Sequence, residues 1–324
     1  MMPSIQSIPY TLSDKAAWDN FVSLSRNATF LFYRDFMDYH ADRFVDASLM
    51  FLDSHGRLKG LLPASWHEGS REIRSHGGLT YGGLLLSPTT HAQEVTEMLL
   101  KARDYYRSTF AAERMLIRHI PSIYHKMPSD DELYWGFRLN MQLVGCALSS
   151  TVELHHQTPF ATLRRRGMLR AKRLGLSVEE SSKSKDWEDF WSLLTDVLTS
   201  RHGRKPVHSV EEIMILKGRF PQNIILKIVR SKSAIIGGTV LFCAPPVVHA
   251  QYIAASDLGC EQGALDLLFY NLLQEYSQSD TYRYFDFGIS TEKDGHYLNK
   301  GLNAQKEGFG ARSTVYNTFA WEFS

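Results

Sequence analysis

One order of apolar runs, turns and amphipathic stretches occurs twice along the chain at a nearly constant offset. Trp18 and Trp187 lie 169 positions apart, Tyr81 and Tyr252 171, Leu116 and Phe285 169, and Gly60 and Gly237 177. A shared order at a shared period is the mark of an internal duplication. The alternative is that a helix pair, hairpin, strand, helix and strand form a common enough order to recur independently. On either account the chain must build two units of one plan, and 324 residues divide comfortably into two domains. The expected class is α/β, with mixed α+β sheets: two tandem domains, each a twisted mixed sheet flanked by helices.

In the first half, Trp18 and Phe21 open a short amphipathic helix, followed by Phe30, Phe32, Phe36, Met37 and Tyr39 at helical spacing. Residues 48–52 and 58–65 read as a hairpin across Asp53-Ser-His-Gly56. A glycine-rich strand is expected over 77–86, a helix over 91–109 capped by Ser87 to Thr90, and a buried strand over 115–120. In the second half, Trp187, Phe190, Trp191 and Leu194 mark a helix, and Ser209 with Glu212 forms a capping box for the next. Strands follow at 224–229, 234–243 and 247–255, then a helix over 263–276 and a strand over 282–287. The alternating aromatics Tyr316, Phe319, Trp321 and Phe323 predict a last strand that completes the second sheet. The boundary falls in polar, proline-containing sequence, giving domains 1–155 and 156–324, with a basic linker helix over 163–174.

Composition narrows the function classes. At 44% hydrophobic and 22% charged, two cores can be buried. A net charge of +1 gives no global field toward nucleic acid or an anionic membrane, so any phosphorylated partner must be met by a local cluster. The opening carries no secretory pattern and no run is long enough to span a bilayer. Cys146, Cys243 and Cys260 are odd in number and widely spaced, as expected of free thiols in a reducing, cytoplasmic setting. No H-x-x-x-H or C-x-x-C occurs and His155-His156 are adjacent, so no metal site is expected. P-loop, dinucleotide and serine-hydrolase patterns are absent.

Three stretches carry a resemblance: the basic run Leu163 to Leu176, Tyr284-Phe-Asp-Phe-Gly288, and Gln305-Lys-Glu-Gly-Phe-Gly310. They resemble, in that order, a helix of spaced cations ending in A-x-x-x-G-L, a strand ending in F-D-x-G, and a late K-x-x-F-G of the tandem GNAT (Gcn5-related N-acetyltransferase) type, similar to Fem-type peptidoglycan-bridge aminoacyltransferases and related bacterial acetyltransferases. Tyr39 to Phe44 and Gly77 to Gly83 resemble members of the same group associated with surface polysaccharide. The resemblance implies an N-acyltransferase that moves an acyl or aminoacyl group to an amine of a cell-envelope or polysaccharide precursor by direct attack. The donor it implies is acyl-CoA or aminoacyl-tRNA. The acceptor is a small or nucleotide-linked molecule, with tRNA a further partner. One stretch departs from the pattern. Ser256 to Ala264 keeps Gly259 and Gly263 but places Asp257 and Glu261 where a glycine-rich loop would hold CoA pyrophosphate. That departure supports the rival class, a binding protein that keeps the twin fold without the donor site.

Acyl transfer to an amine needs a proton acceptor, a polarised carbonyl and alignment, but no nucleophilic residue. Lys306 and Asp286 are the catalytic candidates: Lys306 to polarise the carbonyl, or else a surface lysine in a glycine-bounded turn; Asp286 to accept a proton or orient the acceptor, or else to cap a turn through Gly288. Arg166 and Arg170 share a helix face with Arg173 and suit a diphosphate or a tRNA backbone, or else solvate the helix. His40, Arg43, Tyr81 and Tyr252 are candidates for substrate binding, as are Ser290, His296 and Asn299 in the long polar loop over 290–303.

Overall fold

A computed structural model describes residues 5–75 and 77–323. The backbone groups into two compact units, one of Met1–Ala147 with Glu292–Tyr297 and Val315–Ser324, the other of Leu148–Thr291 with Leu298–Thr314. Among the described residues no helix is long and apolar enough to cross a membrane.

In the first unit, Gln6–Pro9, Leu49–Leu52, Leu58–Leu62 and Leu85–Leu86 form an antiparallel sheet in that order. Asp53 closes the hairpin by accepting the backbone N–H groups of His55 and Arg57 at 2.9 and 3.0 Å, the local bonding that makes Asp a turn residue. Of the strand expected over 77–86 only Leu85–Leu86 pairs, with an isolated bridge from Gly82 to His119. Its glycines turn the backbone instead, Gly78 and Gly83 at φ +72° and +103°. The helix Ala92–Phe110 is capped by His91 and Glu94, downstream of the expected Ser87 to Thr90. It buries Val95, Met98, Leu99, Ala102 and Tyr106, one face at helical spacing, against Phe51, Leu62 and Ile117.

The aromatic C-terminal strand corrects an expectation. Residues 318–322 pair antiparallel with Arg114–Arg118 of the first unit, and Trp321 and Phe323 enter that unit's core beside Met115 and Ile117. Alternation of aromatics identifies a strand and its buried face, but carries no information about which strand lies beside it.

In the second unit, Ser177–Ser181, Ile224–Ser231, Ala234–Ala244 and Val247–Ala255 form an antiparallel meander. Tyr284–Ile289 then lies parallel to Val247–Ala255, and on its other side runs antiparallel to residues 149–153. A parallel pair requires a crossover, which Asp257–Gln262 and Ala264–Ser277 supply. The basic run forms the helix Thr162–Arg173 as expected, burying Gly167, Met168 and Ala171. It comes so close to the crossover that a Cβ on Gly263 would lie 2.4 Å from the Gly167 carbonyl oxygen.

The two halves share details as well as order. Trp18 and Trp187 are both fully buried, and each donates its indole N–H to a backbone carbonyl, of Phe32 at 2.8 Å and of Ser181 at 3.2 Å.

Candidate functional site

The second unit's sheet opens where its parallel pair ends. Pairing runs only from Val247↔Tyr284 to His249↔Asp286, after which the register stops while Val247–Ala255 continues. Asp286 sits at that fork with no exposed surface. Four donors compensate its carboxylate: Oδ1 accepts from Ser149 Oγ (2.5 Å), Thr151 Oγ1 (3.2 Å) and Gly288 N (3.2 Å), and Oδ2 accepts from His249 Nδ1 (2.9 Å). A carboxylate accepts and does not donate, so Nδ1 carries a proton, and in the neutral ring the lone pair lies on Nε2. The His249 ring edge passes over Gly288, where a Cβ would lie 3.3 Å from Cε1. Gly288 adopts φ +78°, which lets the chain turn away directly after the carboxylate. An imidazole oriented by a buried carboxylate can take a proton from an amine.

Lys306 comes to the same place from another element. It lies in the last turn of the helix Lys300–Glu307 rather than in the expected glycine-bounded turn, and it is buried, against the alternative of a surface lysine. Asn299 caps that helix, its Oδ1 accepting from Leu302 N at 3.0 Å. Lys306 Nζ donates to the carbonyl oxygens of Gly288 and Ile289, both at 2.8 Å. As an ammonium it retains a third N–H. Burial pushes its pKa down, against the opposing pull of Asp286, to about 8. Ser290 follows in the chain with its Oγ buried and without a hydrogen-bond partner among the described residues. The structure therefore gathers Asp286, Lys306 and Ser290 of the expected residues, and adds His249 and Ser149, which sequence reading passed over.

Comparison with solved structures decides the fold. A structure of FemX superposes with TM-score 0.70 over 98% of this chain and 97% of its own, at 12% identity. The C-terminal domain of a putative lysylphosphatidylglycerol synthetase from Agrobacterium fabrum gives 0.62 at 12% identity, covering 96% and 92%. A tandem GNAT protein from the clavulanic acid biosynthesis pathway gives 0.53 at 12%, covering 99% of each chain. The chain has the tandem GNAT fold. No family model matches it, and no curated protein does.

In this tandem GNAT fold the stretch Ser256 to Ala264 is not an open loop. Asp257–Gln262 is a short helix capped by Ser256 Oγ, which accepts from Gly259 N at 3.0 Å. Its glycines serve packing: a Cβ on Gly259 would lie 2.0 Å from the Ile236 carbonyl oxygen. Beside it is a cleft of about 500 Å³ lined by Arg164, Gly263, Asp266, Gly301 and Gln305 among others. Arg164 Nη1 meets Asp266 Oδ1 at 2.9 Å across it. Burial raises the Asp266 pKa, with Arg164 opposing. Arg166 and Arg170 are exposed on the same helix, so the cation that lines the cleft is Arg164, a member of the run that sequence periodicity did not single out.

The remaining candidates lie elsewhere. Tyr252, in the second unit, is buried with its hydroxyl 2.5 Å from His208 Nδ1. Tyr81, in the first unit, is buried among Phe32, Tyr124 and Tyr316 and bonds Thr29 Oγ1 at 3.1 Å. His296 also belongs to the first unit. His40 and Arg43 fall in the 3₁₀ segment Asp38–Arg43, where His40 is buried and Arg43 exposed. His40 lines a first-unit cavity of about 460 Å³ with Tyr10, Arg34, Phe44 and Ser75. Arg34 stacks 3.9 Å over Tyr10 and pairs with Asp38 and Asp46.

Proposed function

We propose that this chain is an N-acyltransferase that transfers an acyl or aminoacyl group to an amine of a cell-envelope or polysaccharide precursor. The observation that carries the reading is the Asp286–His249 pair at the sheet fork with Lys306 beside it. In this reading His249 Nε2 removes a proton from the attacking amine while Asp286 holds the ring and stabilises the imidazolium. The new C–N bond forms as the C–S bond of an acyl-CoA, or the C–O bond of an aminoacyl-tRNA, breaks. The proton held by His249 balances the leaving thiol or hydroxyl. Lys306, as a cation, favours the negative charge developing on the carbonyl oxygen. The exposed cations Arg166 and Arg170 hold phosphate of the donor or of a nucleotide-linked acceptor. Ser290 and Asn299 are proposed as substrate contacts in the second unit, and His40, Arg43 and His296 are proposed for ligand contact in the first unit; Tyr81 and Tyr252, buried with their hydroxyls bonded within the protein, are proposed to shape those walls rather than touch substrate.

The test is transfer from radiolabelled acetyl-CoA and from charged tRNA to an amino-sugar or peptide amine. His249→Gln keeps the ring's volume and polarity in part but cannot take the proton, and is expected to lower kcat by about 10²- to 10⁴-fold with donor affinity retained. A second reading, a binding protein without turnover, is favoured by the helix that occupies the expected pyrophosphate loop. It prevails if acceptor binds while neither donor does.

A further inference from the structure

Away from the sheet fork, in the first unit, two buried imidazoles face one carboxylate. His119 follows the strand Arg114–Arg118 and is 6% exposed. Its Nδ1 lies 2.8 Å from Glu132 Oε2, so Nδ1 carries a proton. Against the desolvation of burial, the facing Asp130 and Glu132 raise the pKa of the ring to about 9, so a metal at Nε2 takes the place of a proton there. His125 Nε2 lies 3.0 Å from the Ile120 carbonyl oxygen, so here Nε2 carries the proton and Nδ1 is bare. Both of these nitrogens, His119 Nε2 and His125 Nδ1, are buried without a hydrogen-bond partner among the described residues. Each lies 4.0 Å from the same atom, Asp130 Oδ1, and the three atoms are all within 4.8 Å of one another.

We propose that His119, His125 and Asp130 form a binding site for a divalent transition metal of the zinc class. With the His119 Nε2 proton displaced, two lone pairs and an anionic oxygen converge on one point. A single proton cannot satisfy them, because 4.0 Å exceeds hydrogen-bond reach. A cation with bonds of about 2.0–2.1 Å to each ligand satisfies all three, and tetrahedral ligands then stand about 3.3 Å apart. Closing from 4.0 Å takes well under 1 Å of movement per side chain. Asp130 is free to make it: its side chain is 59% exposed, and although it occupies the N-cap of the helix Asp131–Arg138, it makes no capping hydrogen bond. The exposed side of Asp130 also gives the ion its entry path and a fourth position for water.

The surroundings are built as metal sites are built. The second nitrogen of each histidine is fixed by a carboxylate or a carbonyl, which sets tautomer and ring orientation. Glu132 is itself fixed, its Oε1 accepting from Leu84 N at 3.0 Å, and it approaches over Gly83, where a Cβ would lie 2.5 Å from Oε2. Two imidazoles and a carboxylate form a borderline donor set suited to zinc, cobalt or nickel rather than magnesium or calcium. The expectation of no metal rested on chain spacing, and the interval from His119 to His125 to Asp130 matches no familiar pattern. The convergence exists only in the fold.

The full chain, freed of metal with chelator, is titrated with Zn²⁺ and separately with Co²⁺. One equivalent of Zn²⁺ should bind, the melting temperature should rise, and Co²⁺ should give the visible ligand-field bands of an imidazole-containing site. His125→Ala and Asp130→Asn should each weaken Zn²⁺ binding by at least tenfold, and Glu132→Gln by about 10- to 100-fold. Asp130→Asn changes an exposed side chain, so its fold and its chelator-treated melting temperature should match those of the unaltered chain. Uptake well below one equivalent, or equal uptake by the Asp130→Asn chain, overturns the proposal.

Discussion

His249 acquires its chemistry from a partner 37 positions away, and Lys306 from carbonyl groups 17 and 18 positions away. Asp286 and Lys306 could be singled out in the sequence because each is a charged residue within an otherwise apolar or glycine-bounded motif. His249 could not: one histidine in the apolar strand Val247–Ala255 has no signal until the parallel partner is known. Lys306 makes a prediction whose sign can be worked out. Its folded pKa of about 8 lies below the ordinary lysine value of 10.5, so between those values the unfolded chain holds more protons than the folded one. Stability therefore rises with pH across that window and is insensitive to this group below it. The stability difference between the unaltered chain and Lys306→Met should accordingly shift with pH in favour of the unaltered chain between about pH 8 and 10.5 and be flat from pH 6 to 7, by urea melts at each pH. Catalysis gives the opposite slope. If the cation is the working form, kcat falls as pH rises through about 8, and Lys306→Arg moves that fall upward. A kcat that climbs through pH 8 in step with lysine deprotonation would assign Lys306 a base role instead.

At the scale of single elements, most helices and strands were legible because their periodicity is strong. The helix over 92–110, the capping box at Ser209, where Oγ accepts from Glu212 N at 3.2 Å, and the strand over 247–255 all follow from pattern. What pattern missed were elements whose glycines mislead. Asp257–Gln262 reads as a loop because Gly259 lies within it and Gly263 directly follows it, yet both are there for close approach of backbones. Gly263→Ala should therefore destabilise the second unit by about 2–4 kcal/mol: overpacking against Gly167 costs about 1–3 kcal/mol and a left-handed Ala about 1 more. Urea unfolding followed by tryptophan fluorescence reads it, and an unchanged midpoint would show that the two helices separate at no cost. On the neighbouring helix, replacing Arg166 and Arg170 together by Ala should weaken binding of an anionic donor or acceptor about tenfold or more and flatten its salt dependence. Both side chains are exposed, so the melting temperature should stay within error. Equal affinity at low and high salt in the variant and the unaltered chain would remove the anion site.

At the scale of the whole molecule, two mixed sheets and their core positions could be expected from the doubled order of features, whereas the path of the chain through them could not. Strand partners are chosen by packing of faces that the alternating pattern leaves equivalent, and the aromatic strand near Trp321 pairs with Arg114–Arg118 over some 200 intervening residues. A chain ending at Thr314 should lose the first unit's near-ultraviolet signal while the second unit, which uses nothing beyond that residue, keeps its own. Trp321 and Phe323 alone bury surface worth about 1.5–3 kcal/mol each. A truncated chain with both transitions intact would show the strand to be dispensable. The same pairing sets a timetable for biosynthesis. Domains ordinarily fold as they emerge, the first-made first, but here the half translated first waits for the segment that leaves the ribosome after every residue of the other half. The younger half can be finished while the elder is still held open, with its strand Arg114–Arg118 paired to Glu72–Arg74 on one side only, and over that interval it is the other, unsatisfied edge that chaperones must guard.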